Sequence, residues 1–535
     1  MSTVGTKRLQ PEWSREMSEA IAWGVVLRFL QASLQAAPFI FTGLCVMGLL
    51  HRLMGHAHTR WLFGSNSISS LFQSWVIGML LPGCSLGTIP IVKQLRRSGI
   101  AVGTIFAFAL SSPLFDPLSL LYGLTLSKPM TILAFAGCSL VVVTISGALF
   151  DKWYPNTEVH EPEPPPTPYG IKRLISVLVV MARESVSSTA GLIFIGLAGA
   201  ALLSIFLPPG ILQRTMAHDN PASPLLMTAI AIPAYATPMM AMGQLGSMFQ
   251  HGNSIGAAFI LLIFGAGVNL GLLAWMGFNY GWKKCLIWMG LMIVIVLGIS
   301  YGIERPLYPP EIEAADHTHA FDAYCQPFRT DSVPTGGYAA KIWRKLRLET
   351  QLYELAGLAG ILVLVAIGLG LKLLDRRWVI EDWLAKVPER SPEQTPSRWD
   401  IVIPAPVLGG LGMVVIVAFS VVGCFAYYPT PAETIEELNL AKTEALSAAT
   451  SGNKGHALHW LPICHGWNRR LQVGTYLRYW HLSEYHRMKS RVFEDRMEEL
   501  THMVENGDDP DKIRKQVAAV GRAFGRMATA YREEL

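Results

Sequence analysis

The sequence predicts an all-α, polytopic membrane protein of about ten transmembrane helices, with internally repeated broken-helix hairpins and a soluble helical C-terminal tail. Three observations predict it. The 535-residue chain is 51% hydrophobic and only 16% charged, a balance unlike that of a soluble globular domain. Its apolar residues fall into runs of about 20, the length that crosses a bilayer. Several of those runs carry clustered Pro and Gly in mid-run, which break a helix at membrane depth.

The elements follow in order. Residues 1–28 are polar and mixed in charge, without the basic start and short apolar core of a secretory signal. They are expected on the cytoplasmic side, with the first span retained as an anchor. Residues 29–302 form the core, read as two repeats (29–150 and 171–302) joined by a Pro-rich linker at 151–170. Span one covers 29–54 and bends near Pro38. His51, His56, His58 and Arg60 then suggest an interfacial loop, or a weak metal-capturing one, since imidazole suits Zn and Cu. Span two, 69–95, contains the interrupted stretch Pro82–Pro90. Lys93, Arg96 and Arg97 close it and mark the cytoplasmic side. Spans three and four cover 100–126 and 130–150.

In the second half, Lys172, Arg173 and Arg183 flank an amphipathic helix, and span five covers 187–207. No Asp, Glu, Lys or Arg occurs from Asn220 through Trp282. That stretch holds span six, interrupted at Pro233 and Pro238, and span seven, 255–278. Span eight opens at Lys283 and ends near Tyr301. Residues 98–106 align with 251–259 at an offset of 153, which places Asp116 opposite Asn269. Paired interrupted helices in corresponding halves are the sequence pointer to a transporter binding site. Four spans per half imply parallel repeats, whereas the placement of basic residues implies inversion.

Residues 303–350 are polar. There His317, His319 and Cys325, flanked by carboxylates, form either a metal-binding loop or a solvated acidic one. Two further spans, 353–374 and 401–428, make up an added module at 351–428. The tail, 429–535, shows helical periodicity over 433–449, 476–504 and 512–532. His456, His459, Cys464, His465, His481 and His486 cluster in its sequence. The seven cysteines include no CxxC pair and no disulfide-like spacing.

The stretch Pro82-Gly83-Cys84-Ser85-Leu86-Gly87-Thr88-Ile89-Pro90 cannot be a continuous helix. Non-helical backbone in a bilayer must be buried in protein or line a wet cavity. Ser112-Pro113-Leu114-Phe115-Asp116-Pro117 repeats the pattern around the one charged residue between Ser98 and Ser127. An intramembrane carboxylate of this kind is a functional candidate. Pro82, Cys84, Ser85, Gly87 and Pro90, then Gly99, Ala107, Phe108, Pro113 and Pro117, resemble the signature of the YraQ-like predicted permeases. That family contains organoarsenical exporters and copper/zinc effluxers. Leu86 stands where the family has a second cysteine, and Asp116 where it has Asn. The resemblance covers roughly residues 20 to 300 and implies efflux of a soft metal or metalloid species.

Residue chemistry agrees with such a cargo. Soft ions take thiolate and thioether ligands, and Cys84, Met239 and Met240 offer these. Ser85, Thr88, Tyr235, Thr237 and Asn269 add oxygen and amide groups to the expected pathway. Asp116 is placed either as a proton carrier for antiport or as a direct ligand. No GxxxxGK[ST] motif is present, and no nucleophile–base pair stands out, so the chain reads as a transporter rather than an enzyme. No cofactor is implied. The net charge of +5 is not a nucleic-acid signal. The expected partners are the transported metal or metalloid ion and the lipid bilayer, with the protein a multi-pass component of the inner (plasma) membrane. A second reading is a membrane-anchored metal sensor or assembly protein that uses the His/Cys-containing tail.

Overall fold

Apolar runs form long helices in this chain unless Pro and Gly are clustered within them; Pro38, on its own, lies inside a continuous 40-residue helix. The computed structural model describes residues 10–64, 67–126, 129–154, 161–162, 170–208, 211–308, 320–328, 337–375, 380–385 and 403–533. These are helical, with no β-strand among them. They divide into two compact units, Met1–Ser119 with Leu133–Ala418, and Leu120–Ile132 with Phe419–Leu535.

The first unit opens with α1 (Gln10–Leu49), which continues through a π-helical turn at Leu50–Met54 into α2 (Gly55–Phe63). His51, His56 and His58 therefore lie on a helical stretch, not in a loop. Leu50, Leu53, Met54 and Phe63 recur at helical spacing there and are buried. Next come α3 (Ile68–Leu80), α4 (Thr88–Arg97), α5 (Val102–Ser111), α6 (Pro117–Leu126) and α7 (Pro129–Trp153), of which most of α6 and the first turn of α7 belong to the second unit. α3 and α5 run side by side in the same direction. Ser70 Oγ is 2.8 Å from Thr104 Oγ1 near their starts. Near their ends, the bare Cα of Gly78 lets Ser111 approach so closely that a Cβ would overlap it. α4 therefore doubles back. Gly99, at φ 73°, then turns the chain into α5.

The second half of this unit has α8 (Ile171–Ser185), α9 (Ser188–Phe206), α10 (Ile211–Thr215), α11 (Ser223–Ala231) and α12 (Pro238–Gln250). It continues with α13 (Ile255–Ile260), extended by a π-helical turn at Leu261–Ala266, then α14 (Leu270–Tyr280) and α15 (Trp282–Leu307). α11 and α13 both start beside the end of α15. The Tyr301 hydroxyl donates to the Pro221 carbonyl at 2.8 Å, and the Ser254 hydroxyl donates to Glu304 Oε2 at 2.8 Å. So α12 also doubles back. Lys284, in the first turn of α15, lies 4.9 Å over the ring of Tyr154, just past the end of α7. α7 and α15 are thus antiparallel.

Beyond the core lie α16 (Gly337–Glu349), α17 (Leu352–Leu374), α18 (Ile380–Ala385) and α19 (Ala405–Tyr427). Gly357 of α17 sits against the Pro38 backbone of α1. Arg183 donates to both carboxylate oxygens of Asp375, at 2.7 and 2.9 Å, tying α8 to the end of α17. The far side of α17 leaves Leu362, Val363, Leu369 and Leu373 exposed, as a lipid-facing surface would be.

Among the described residues, six helical stretches are long and apolar enough to cross a membrane: Ser18–Phe63, α7, α9, α15, α17 and α19. The pair α13–α14, bent by 60°, makes a seventh if counted as one span. The expected spans two, three and six are not single crossing helices but pairs of short ones. Their mid-run Pro and Gly leave too little continuous helix on either side to cross 30 Å at 1.5 Å per residue.

The second unit holds the tail, α20 (Pro431–Thr450), α21 (Lys454–Tyr479), α22 (Glu484–Asn506) and α23 (Pro510–Glu533). Thr430 caps α20 in a capping box with Glu433, with Pro431 at the first helical position. Leu438, Leu461, Leu471, Phe493, Leu500 and Met527 fill its core. The helix expected over 476–504 is two helices. Trp480 adopts a left-handed conformation at φ 56°, and α22 restarts on the Ser483 cap.

Candidate functional site

A helix that stops inside a protein leaves backbone N–H and C=O groups without helical partners. Four such interruptions meet in the first unit: 81–87 between α3 and α4, 112–116 between α5 and α6, 232–237 between α11 and α12, and 267–269 before α14. Glycine makes the approach possible. A Cβ at Gly83 would overlap Ser112 Oγ, and one at Gly267 would come 3.2 Å from Leu114 Cδ2. The Ala236 N–H donates to the Gly265 carbonyl at 3.0 Å. Gly43 of α1 lies against Gly87, and Gly196 of α9 against both Leu86 and Asn269.

At this junction Cys84 is fully buried, and its Sγ accepts the Gly87 N–H at 3.3 Å. The Tyr235 phenol faces the Cys84 thiol, yet its hydroxyl has no well-formed hydrogen bond. Ser85 Oγ, Ser112 Oγ and Asn269 Nδ2 are likewise buried without a partner. Leaving such groups unpaired costs about 1–3 kcal/mol each, so four of them at one junction require an explanation.

The other expected pathway residues shape the helix ends. Pro82 opens the first interruption, and Pro90 sits in the first turn of α4, where a missing N–H costs nothing. Thr88 Oγ1 donates to the Ser85 carbonyl at 2.9 Å. Pro233 lies in the third interruption. Thr237 caps α12 by accepting the Met240 N–H at 3.3 Å, with Pro238 next in line. Met239 and Met240 are half-buried in that first turn. Asp116 and Asn269 share one local role. Asp116 Oδ1 accepts the Ser119 N–H at 2.6 Å at the start of α6, and Asn269 Oδ1 accepts the Leu272 N–H at 2.9 Å at the start of α14.

A cavity of about 380 Å³ reaches Tyr235 and Met240 from one side. Cys84, Asp116 and Asn269 do not line it.

The expected metal loop falls largely outside the described residues. His317 and His319 lie outside the described residues. Cys325 is buried, and its carbonyl accepts Arg28 Nε at 3.2 Å and Nη2 at 2.8 Å. Among the described residues, no group of three or more His, Cys, Asp or Glu is placed to hold a metal. The histidines of the first helical stretch point to separate partners, His51 to Gln94 Oε1 at 3.0 Å and His58 to the Met54 carbonyl at 3.1 Å. The tail histidines are separated in the same way. His456 meets Glu444 at 3.1 Å, His465 meets Glu494 at 3.7 Å, and His486 meets Ser483 at 2.7 Å. Burial pushes the Cys464 thiol up to about 12.

Several residues of the junction did not stand out in the sequence. Ser112 and Gly196 carry no motif of their own. Asp151 Oδ1 accepts the Gly103 N–H at 2.8 Å, and Glu304 Oε2 accepts the Gly256 N–H at 2.6 Å. A signal for this pair was available, since Gly103 and Gly256, and Asp151 and Glu304, each stand 153 positions apart.

Interrupted helices gathered among helices of membrane-crossing length mark a polytopic membrane protein. A family model described as a predicted permease (ArsP_1) matches residues 23–304, just over half of the chain, and the chain belongs to that family. Membership implies a transporter rather than an enzyme. The chain is similar to the UPF0718 protein YcgR of Bacillus subtilis, 22% identical over 278 residues that cover 51% of this chain and 94% of that one. It is also similar to the UPF0718 protein MJ0584 of Methanocaldococcus jannaschii, 29% identical over 113 residues, 21% of this chain and 30% of that one. No solved structure matches the chain.

Proposed function

We propose that the protein is a multi-pass inner-membrane permease that exports a soft metal or metalloid species, of copper/zinc or arsenical type. Its site is the junction of the four interruptions. The observation that carries this reading is the set of buried, unpaired polar groups there, Ser85 Oγ, Ser112 Oγ, Tyr235 OH and Asn269 Nδ2, beside the Cys84 thiol. A cargo that lodges among them satisfies groups that the fold leaves open, and the sulfur favours a soft ion.

The reading includes an inverted internal repeat. With the offset of 153, α4, α5, α6 and α7 correspond to α12, α13, α14 and α15. Gly99 and Gly252 both turn with positive φ, 73° and 66°. Asp116 and Asn269 both cap, and Asp151 and Glu304 both hold a glycine N–H at a helix start. Because α7 and α15 are antiparallel, the two carboxylates stand at opposite ends, which favours inversion over a parallel arrangement. On this reading each half contributes a hairpin that enters from its own side and returns, so about ten hydrophobic segments are met while fewer cross. The end bearing Lys93, Arg96, Arg97, Lys152 and Lys284 is then cytoplasmic; His51, just past the end of α1, meets Gln94 at that end, so Arg28 lies toward the outer end, against the cytoplasmic placement expected for residues 1–28.

Proton antiport supplies the energy in this account, with Asp116 as carrier. Asn269 makes the same cap as a neutral amide, so capping alone does not require an ionisable group at 116. The test is efflux from vesicles loaded with copper, zinc or a trivalent arsenical. Cys84→Ala should reduce efflux at least tenfold without loss of protein from the membrane. Asp116→Asn should abolish its dependence on an imposed pH gradient. Wild-type efflux by Cys84→Ala would move the site elsewhere, and unchanged pH dependence in Asp116→Asn would remove the coupling.

A further inference from the structure

The cavity that ends at Tyr235 and Met240 has two walls of different origin. Arg28, Gln31, Ala32 and Gln35 of α1 and Ala200 of α9 lie within the family-matched domain. The opposite wall, Asp322 to Tyr324 with Lys345 and Glu349 of α16, lies beyond residue 304, where that match ends. We propose that residues 320–328 and α16 complete an outer vestibule that links the Cys84–Tyr235 junction to the outside and passes an electroneutral small molecule, uncharged or zwitterionic. This rests on the permease reading and specifies the form in which its cargo occupies the pathway.

Three observations carry it. First, the added wall is a built part of the structure. Arg28 donates to the Asp322 and Cys325 carbonyls, the Tyr324 hydroxyl donates to Gln244 Oε1 at 2.9 Å, and the Gln326 N–H donates to the Leu207 carbonyl at 2.9 Å. Second, the charges cancel. Arg28 and Lys345 stand against Asp322 and Glu349. Glu349 Oε2 accepts the Gln31 amide at 2.6 Å, and Lys345 lies 3.7 Å from Glu349 Oε1. Glu349 is thus already engaged through both oxygens. A bare metal cation would leave its hydration shell there with little compensation. Third, about 380 Å³ suits a small molecule rather than one ion, and its inner end offers both an apolar contact, Met240, and an unpaired buried hydroxyl, Tyr235.

The test uses the full-length chain in intact cells, with Ala32→Cys as the reporter. Membrane-impermeant methanethiosulfonates are applied from outside, one bearing trimethylammonium and one bearing sulfonate. The native chain supplies the background from its own cysteines. Each rate is normalised to the reaction with a free thiol. An outer, electroneutral vestibule predicts labelling by both reagents at rates within about threefold of each other. Adding Glu349→Gln, which removes one carboxylate and leaves Lys345 unpaired, should then favour the sulfonate by about tenfold. Absence of labelling from outside, a standing preference of tenfold or more for the cationic reagent, or no response to Glu349→Gln would each overturn the proposal. These rates do not depend on efflux. Loss of the permease reading would show separately, as no cargo movement by the native chain.

Discussion

The two halves of the core share backbone geometry and differ in chemistry. In the first half the α3–α4 interruption carries Pro82, Cys84 and Ser85, and in the second the α11–α12 interruption carries Pro233, Tyr235 and Thr237. At the ends of the hairpins the resemblance is close, with Asp151 on the Gly103 N–H and Glu304 on the Gly256 N–H. At the centre it stops, with a thiol facing a phenol. On the proposed repeat, the scaffold is the part that recurs, and the proposed site is where the two halves diverge. This is the division expected of a carrier whose two halves move around one pocket.

The largest expected effect tests that divergence. Tyr235→Phe removes only the unpaired hydroxyl and should reduce efflux about tenfold, close to the effect of Cys84→Ala, if the two groups face one cargo. Near-normal efflux in Tyr235→Phe would confine the cargo contacts to the first half. The shared scaffold is tested by Asp151→Asn and Glu304→Gln. Each weakens a charge-assisted bond to a helix start and should cost about 1–3 kcal/mol in detergent thermal unfolding, with similar values for both. A large disparity would mean that the two clamps are not equivalent. A smaller effect is expected from Asn269→Asp, which keeps a cap and changes stability by about 1 kcal/mol or less, while adding a carboxylate opposite Asp116.

The tail supplies a contrast in Glu494, a buried carboxylate that is paired with His465 and Arg469. Burial alone would raise the Glu494 carboxyl, but the His465 hydrogen bond and the Arg469 charge outweigh it and hold it below the usual carboxylate range. Its contribution to stability is therefore present above an unfolded-state value of about 4.3 and is lost as pH falls through the lower folded value. Hydrogen exchange of α22 in the full-length protein should show protection falling in that acid range, and Glu494→Gln should flatten the dependence.

The sequence was read most easily where physics acts locally. Pro82, Gly83, Pro233 and Pro238 interrupt their helices as expected, and the offset that paired Asp116 with Asn269 pairs two helix caps. Direction was harder to read. Hydropathy treats α3 followed by α4 as one apolar run, and the Ser70–Thr104 and Gly78–Ser111 contacts show the chain returning. Contacts made by glycine leave almost no trace in sequence, because Gly196 and Gly267 are defined by what approaches them. The tail histidines are grouped in sequence more than in space. His456, His465 and His486 are near one another in sequence but face different carboxylates and hydroxyls in the bundle.

The most direct measurement is a cross-link across the junction. A protease site is placed in the linker at 155–160, and Tyr235→Cys is introduced opposite the native Cys84. Brief oxidation, or a short bifunctional thiol reagent, should join the two halves, so that the fragments stay together on a denaturing gel until reduced and efflux stops while they are joined. Fragments that separate without reduction, from a protein that still exports its cargo, would contradict a pocket formed between the α3–α4 and α11–α12 interruptions.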